Sequence, residues 1–137
     1  MDDFPISIQE RNTDCGITCL FMISQYYGRN IPKSYFVNFF STKQQLNLQN
    51  LIELANSLGF KCLAVKVNIK KLIAKAPLPC ILHWNKNHFV VLHKIVNDNF
   101  YVVNPEYGKY TFDRNMFLKS WGDTNNDGYA LLIMSEE

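Results

Sequence analysis

Apolar residues recur at helical spacing in the first part of the chain, up to about residue 60. A segment starting at Thr13–Asp14 predicts the first helix, and Gly28 ends it, as glycine commonly does just past a helix. A second helix is predicted from Lys33 to about Phe40, and a third from about Leu48 to Leu58 with Gly59 as its stop. The apolar side of the first helix consists of Ile17, Leu20, Phe21, Ser24 and Tyr27.

After residue 60 the pattern changes to short apolar runs rich in branched and aromatic residues, which are typical of β-strands. Asn97-Asp98-Asn99 favours a tight turn that joins two of these runs into a hairpin. Helices followed by antiparallel strands define an α+β fold, with an N-terminal helical half packed on a C-terminal antiparallel sheet. The predicted strands are 61–66, Cys80–Trp84, Phe89–Val96, Phe100–Val103 and Tyr129–Met134, with short helices at Ile69–Ala74 and Arg114–Ser120.

Composition narrows the class of protein without identifying it. The 137 residues, 47% hydrophobic and 19% charged, suffice for one domain over 1–137, helical to about 60 and β from about 61. The net charge of +2 is spread without a basic stripe, so no nucleic-acid partner is predicted. No window holds the ~20 apolar residues of a membrane span, and Met1-Asp2-Asp3 does not begin a secretory signal, so this fragment is expected to be soluble. In a reducing compartment Cys15, Cys19, Cys62 and Cys80 are then free thiols or ligands.

Cys15 is the candidate nucleophile. Thr13 or Asp14 can cap the first helix, and Cys15 then lies in its first turn, where exposed backbone amides and the helix dipole favour a thiolate. Gly16 beside it is expected to let a substrate backbone approach closely. From position alone, a buried structural cysteine is an equally good interpretation. Cys19, one turn further along, is expected to face the core.

His88 and Asn104 are the candidate base and its orienting partner. His88 begins an apolar strand, where a side chain can be held rigidly and still meet a substrate. Pairing across the turn at Asp98–Asn99 brings Asn104 close enough to bind the ring nitrogen of His88 that does not face the sulfur. Gln9, six residues before Cys15 (15 − 9 = 6), is a candidate oxyanion donor beside the Cys15 amide.

Together these segments resemble a known family. Gln9-Glu-Arg-Asn-Thr-Asp-Cys15-Gly-Ile-Thr-Cys-Leu-Phe-Met22 is similar to the catalytic-cysteine motif of the bacteriocin-processing, double-glycine-leader peptidases. His88-Phe-Val-Val-Leu92 resembles the histidine motif of that family, and Asn104-Pro105 falls 16 positions on (104 − 88 = 16), where its third residue lies. The family usually has Asp-Pro there, so Asn104 is a departure that gives less support to an imidazolium.

The resemblance implies a papain-like cysteine peptidase in which Cys15, His88, Asn104 and Gln9 have the roles given above, with no cofactor and no metal. It implies cleavage of bacteriocin or lantibiotic-type precursors after a Gly-Gly or Gly-Ala junction that ends an amphipathic leader. It further implies that the chain is the N-terminal domain of an ABC exporter, on the cytoplasmic side of a bacterial membrane, with transmembrane and ATPase domains after Glu137. A groove for the leader would come from aromatic residues among Tyr26, Tyr27, Tyr35, Phe36, Phe39 and Phe40.

Two alternatives remain open on the sequence. The chain is either an active peptidase or a catalytically silent module that holds a leader for export. The spacings Cys15-x-x-x-Cys19 and His83-x-x-x-x-His88 also permit a structural zinc site, although these cysteines lie on a predicted helix.

Overall fold

The computed structural model describes residues 4–11, 13–39, 46–85 and 87–135. Five helices and six strands lie in these ranges. The helices are α1 (Cys15–Tyr26), α2 (Lys33–Asn38), α3 (Leu48–Ser57), α4 (Ile69–Lys75) and α5 (Arg114–Trp121). The strands are β1 (Phe60–Asn68), β2 (Cys80–Trp84), β3 (His88–Val96), β4 (Asn99–Asn104), β5 (Gly108–Asp113) and β6 (Asp127–Ser135).

The strands form one six-stranded sheet in the order β1-β6-β2-β3-β4-β5, with every neighbouring pair antiparallel. The predicted α+β class is therefore confirmed. Consecutive strands β2 to β5 follow one another across the sheet, whereas β6 inserts between β1 and β2. Because β1 pairs with β6, the sheet joins early and late parts of the chain.

The predicted helices form at the expected places. At α1 and α3 the glycines that end the pattern, Gly28 and Gly59, have φ of +76° and +84°, a conformation that glycine adopts without strain. Asn47 caps α3 by accepting from the Asn50 amide at 2.8 Å, and the Asn50 side chain accepts in return from the Asn47 amide. The prediction for α2 extended to Phe40, which lies outside the described residues.

The strand predictions are confirmed except for β5, at one edge of the sheet. β2 has the predicted bounds, and β1, β3, β4 and β6 extend the predicted runs by a few residues. β5 was not predicted from the sequence. Its side chains are mostly exposed and it pairs with β4 alone, so it lacks the apolar run that marked the other strands.

Helices cover both faces of the sheet. The near-face core, beneath α1, α2 and α3, includes Leu20, Phe36 and Leu51 with Val91 and Ile133 of the sheet. The far-face core, beneath α4 and α5, is built from Leu72, Phe117 and Trp121 against other sheet residues. Packing of the N-terminal helices on the sheet was predicted; the far-face layer adds to that architecture. Within the described ranges, none of the helices has the length and apolar character needed to cross a bilayer.

The β3–β4 hairpin positions the candidate site. Asn97 and Asp98 form its turn with φ of +50° and +66°, the left-handed conformation that a two-residue hairpin turn requires. A bulge at His93 shifts the register between Leu92 and Lys94, and Val91 then pairs with Val103. The start of β3 and the end of β4 consequently lie side by side at one end of the sheet.

Candidate active site

Cys15 is the first residue of α1 and has no exposed surface. Asp14 occupies the cap position, but its carboxylate does not cap the helix. It is bound instead by the Arg11 guanidinium, with Nε 3.1 Å from both carboxylate oxygens and Nη2 2.9 Å from Oδ1. The expectation of an Asp14 side-chain cap is wrong, because the buried carboxylate pairs with a charged donor rather than with a helix amide. The placement of Cys15 in the first turn is confirmed.

The groups around the Cys15 sulfur have opposite effects on the pKa of its thiol. Burial raises the pKa of the Cys15 thiol, while the backbone amides of Phe89, Gly16 and Cys15 itself lower it by donating toward the sulfur. The Glu106 carboxylate raises this pKa further. Burial dominates, so the pKa lies above its ordinary value, and the expectation that the helix start favours a thiolate is not met in the resting chain.

Phe89 links α1 to the strand that carries His88. Its amide donates toward the Cys15 sulfur, and its carbonyl accepts from the Cys19 thiol at 3.4 Å. Burial holds the pKa of Cys19 well above its usual range, so this thiol stays protonated. Cys19 thus packs in the near-face core, as predicted, and the sulfur of Cys15 lies next to the start of β3.

His88 and Asn104 are in direct contact: Nε2 of the ring lies 2.8 Å from Oδ1 of the amide. The same Oδ1 accepts from the Glu106 backbone amide at 2.9 Å, and this donor identifies the atom as the amide oxygen. Nε2 therefore carries the hydrogen, and Nδ1 of a neutral His88 is left with a free lone pair. A ring in this tautomer can accept a proton at Nδ1 while Asn104 fixes its orientation.

Gln9 is tied to the same end of the sheet. Its backbone amide donates to the Pro105 carbonyl at 2.8 Å, next to Asn104. Its side-chain Nε2 donates to the Arg11 carbonyl at 3.1 Å, which occupies one of two N–H groups. Oε1 is buried and has no hydrogen-bond partner among the described residues. The structure thus brings Gln9 to the Asn104 turn and leaves one amide hydrogen available for another acceptor.

Glu106 completes this set and was not predicted from the sequence. Its Oε1 lies 3.4 Å from Nε2 of His88, in the turn that follows β4. The available signal was a carboxylate two residues after Asn104, in Asn104-Pro105-Glu106. Acidic residues in turns are common, so that signal by itself carries little information.

Gly16, His83 and His93 each pack against other residues of the fold. A Cβ on Gly16 would lie 2.8 Å from Cδ2 of Leu51, so this glycine permits close packing of α1 on α3 rather than access for a substrate. His83 packs on Phe89 with ring centroids 5.3 Å apart, and His93 stacks on Phe4 at 5.1 Å.

The residues suggested for a zinc site do not assemble into one. Among the described residues, no group of three or more His, Cys, Asp or Glu side chains is arranged to hold a metal ion. The Cys19 thiol is engaged with the Phe89 carbonyl, which accounts for its position without a metal.

A groove of about 470 Å³ lies beside the site. Its lining includes Asn87 and Phe89, the two neighbours of His88 in sequence, together with Leu48 at the start of α3 and Tyr129. Of the aromatic residues suggested for a leader groove, none lines this one among the described residues: Phe36 is buried, Tyr26 and Tyr27 pack on Phe4 and Phe60, and Tyr35 and Phe39 border a separate shallow pocket.

Comparison with known proteins provides independent evidence on the family of this chain. Over residues 3–137 the sequence matches the Peptidase C39 family. The colicin V secretion/processing ATP-binding protein of Escherichia coli is 31% identical over 106 residues, covering 76% of this chain and 15% of that protein. The lacticin-481/lactococcin-DR transport/processing ATP-binding protein of Lactococcus lactis subsp. lactis is 27% identical, covering 93% of this chain and 18% of that protein. The chain thus spans less than a fifth of the length of these relatives.

Solved structures share the architecture. A double-glycine motif protease from an AMS/PCAT transporter, determined in complex with the leader peptide, superposes with a TM-score of 0.87 at 26% identity, covering 96% of this chain and 91% of that one. The peptidase domain of Streptococcus ComA, a bi-functional ABC transporter, superposes with a TM-score of 0.83 at 22% identity, covering 97% and 99%. The fold around the candidate site is therefore that of known peptidase domains.

Proposed function

This chain belongs to the Peptidase C39 family and is a cysteine peptidase domain with the predicted papain-like fold, and we propose that it cleaves the leader from a secreted precursor peptide. The observation that carries the proposal is the His88–Asn104 pair, joined at 2.8 Å beside the strand residue whose amide reaches Cys15. Nucleophile, base and orienting amide are the parts that acyl transfer by a thiol requires.

The first half of the reaction follows from this arrangement. Nδ1 of His88 takes the Cys15 proton as the sulfur attacks the carbonyl carbon of the scissile peptide bond. The tetrahedral intermediate that forms carries its charge on the former carbonyl oxygen. The Cys15 backbone amide and the remaining N–H of Gln9 donate to that oxygen. Asn104 keeps the imidazole in the required tautomer throughout.

In the second half, the peptide C–N bond breaks and His88 gives its proton to the departing amine, which leaves a thioester on Cys15. A water molecule then attacks the thioester carbonyl while His88 accepts one of its protons. Collapse of this second intermediate releases the leader as a carboxylic acid, and the proton on His88 returns to the sulfur. Every step uses groups of this chain and one water, so no cofactor or metal is assigned to the reaction.

The proposed substrate is a precursor whose amphipathic leader ends in Gly-Gly or Gly-Ala. Full burial of Cys15 supports a requirement for small residues, because a bulky side chain next to the scissile bond would collide with the groups that cover the sulfur. The relative solved with its leader peptide, at 26% identity, supports the same class of substrate. The leader itself would dock as a helix through apolar anchors.

We further propose that the chain works as the N-terminal domain of an ABC exporter, on the cytoplasmic side of a bacterial membrane. Its relatives are secretion and processing ATP-binding proteins more than five times the length of the matched segment, which supports transmembrane and ATPase domains as its partners. No nucleic-acid partner is assigned, since the charge of +2 is not gathered into a basic surface in the sequence.

Mass spectrometry of the purified domain with synthetic leader-junction peptides tests this function. We expect one cut directly after the second small residue of Gly-Gly or Gly-Ala, and no cut by Cys15→Ala or by His88→Ala. Cys62→Ala is the matched control, because this half-buried thiol lies on β1 and should leave the rate unchanged.

The same experiment distinguishes an active peptidase from a silent leader-binding module. Bound but uncut peptide would contradict the peptidase assignment and support the silent leader-binding module. A cut that persists in Cys15→Ala would show that Cys15 is not the nucleophile.

A further inference from the structure

We propose that Glu106 is a positioning residue that supplies, through His88, the negative charge that the neutral Asn104 side chain cannot provide. This inference rests on the peptidase chemistry proposed above. It assigns to the site a fifth residue, outside the set of Cys15, His88, Asn104 and Gln9.

The geometry places one ring nitrogen between two oxygens of different charge. Nε2 of His88 lies 2.8 Å from the Asn104 amide oxygen and 3.4 Å from Oε1 of Glu106. The shorter contact orients the ring, and the longer one is an ion pair as soon as the ring is protonated. His88 is 17% exposed and Glu106 41%, so the pair is shielded on the histidine side and open to water on the other.

Glu106 is held in place by its backbone. Its amide donates to Oδ1 of Asn104 at 2.9 Å, and the next amide, that of Tyr107, donates to the Asn104 carbonyl at 3.0 Å. On the other side, the Pro105 carbonyl accepts from the Gln9 amide at 2.8 Å. These three hydrogen bonds fix the backbone of the turn. Contact between the Glu106 carboxylate and His88 therefore depends only on the side-chain torsions of the glutamate.

The charge acts when the proton moves from Cys15 to His88. A carboxylate near a lone thiolate disfavours it, in agreement with the contribution of Glu106 to raising the pKa of Cys15. Once the proton resides on the ring, Oε1 of the same carboxylate lies 3.4 Å from a cation and stabilises the thiolate–imidazolium pair. Since the glutamate is partly exposed, water screens this gain, and we expect a three- to tenfold effect rather than the larger effect of a buried carboxylate.

The test reads thiolate formation directly and does not depend on a substrate. The domain is treated with iodoacetamide at pH 6, where an ordinary thiol is less than about 1% ionised, and peptide mapping gives the modification rate of Cys15. We expect Glu106→Gln to slow this rate about three- to tenfold. In the double variant Glu106→Gln with Asn104→Asp the rate should be restored, because a carboxylate then contacts Nε2 of His88 again. Glu53→Gln on the exposed side of α3 makes the same change of net charge and should have no effect.

Recovery of the rate in the double variant would show that the charge of Glu106 matters. If Glu106 only supported the turn, an aspartate at position 104 could not compensate for its loss. Equal Cys15 rates in the wild type and Glu106→Gln, including the case in which neither reacts, would overturn the inference. Failure of the double variant to recover would also overturn it. If no leader peptide is cut but the alkylation pattern appears, the proposed substrate is wrong and the assignment of Glu106 stands.

Discussion

At the scale of single residues, Cys15 is held between influences of opposite sign. Burial favours the neutral thiol, and three backbone amides favour the thiolate, with burial the larger effect. The thiol of Cys15 is therefore protonated in the resting chain, and in the proposed mechanism its activation depends on a base that can take the proton. In that mechanism His88 both ionises Cys15 and protonates the leaving amine.

Replacement of His88 should reveal how the surroundings of Cys15 alone affect the pKa of its thiol. In His88→Ala we expect the ionisation midpoint of Cys15 to lie above that of an ordinary cysteine, because burial, the largest influence on this thiol, raises its pKa. The rate of iodoacetamide modification of Cys15 against pH measures the midpoint, and the urea-unfolded protein provides the ordinary value. A midpoint below that of the unfolded chain would contradict this account.

The candidate site residues were marked in the sequence, but the burial and contacts that set their chemical state were not. Cys15, His88, Asn104 and Gln9 were marked by their motifs and order along the chain, and the hairpin turn at Asn97–Asp98 accounted for the meeting of His88 with Asn104. Cys15 is buried in the near-face core, whose residues come from separate helices and strands, so its burial cannot be read from a local sequence pattern. The same holds for Glu106, whose proposed role rests on its contact with His88 at the end of the sheet.

At the scale of elements, the position of the nucleophile depends on how closely α1 packs on α3. Gly16 follows Cys15 and faces Leu51, which is fully buried in the near-face core. The first turn of α1 thus has no space for a side chain at this position. β5 shows the converse, since Gly108–Asp113 is a strand by pairing with β4 and not by any apolar pattern of its own, which is why it was missed.

Gly16→Ala should therefore disturb both stability and the site. The added Cβ would lie 2.8 Å from Cδ2 of Leu51, so the helices must separate or the leucine must change rotamer. We expect the free energy of unfolding to fall by about 1–3 kcal/mol, as for other overpacked cores. Urea denaturation measures it, with the exposed Gln25→Ala on the same helix as the control. An unchanged or higher stability would show that the contact relaxes freely.

At the scale of the whole molecule, one sheet separates two cores, and the candidate site belongs to the near face. Both tryptophans, Trp84 and Trp121, belong to the far-face core, so their fluorescence reports the side away from α1. Phe117 lies at the centre of that core, stacked on Phe100 with centroids 4.3 Å apart. β3 and β4, the strands that carry His88 and Asn104, contribute residues such as Leu92 and Phe100 to that core.

Phe117→Ala should lower the free energy of unfolding by about 3–5 kcal/mol, because it removes a fully buried ring from this packing. Tryptophan fluorescence and far-ultraviolet circular dichroism followed in urea should give one coincident transition, since both cores share the sheet. Met116→Ala, half exposed on the same helix, is the control and should change stability by less than about 0.5 kcal/mol. Two separated transitions would show that the cores unfold independently.

The pairing of β1 with β6 also sets the time at which a newly made chain becomes active. Phe60 pairs with Ser135, and β6 lies between β1 and β2, so the ribosome must deliver the last strand before the sheet can close. Cys15 leaves the ribosome early, and the His88–Asn104 hairpin follows much later. A chain synthesised only as far as β2 therefore has the thiol of Cys15 but not the His88–Asn104 pair that is proposed to act on it. In the proposed peptidase, cleavage is thereby withheld from the nascent chain until β3 and β4 have been made.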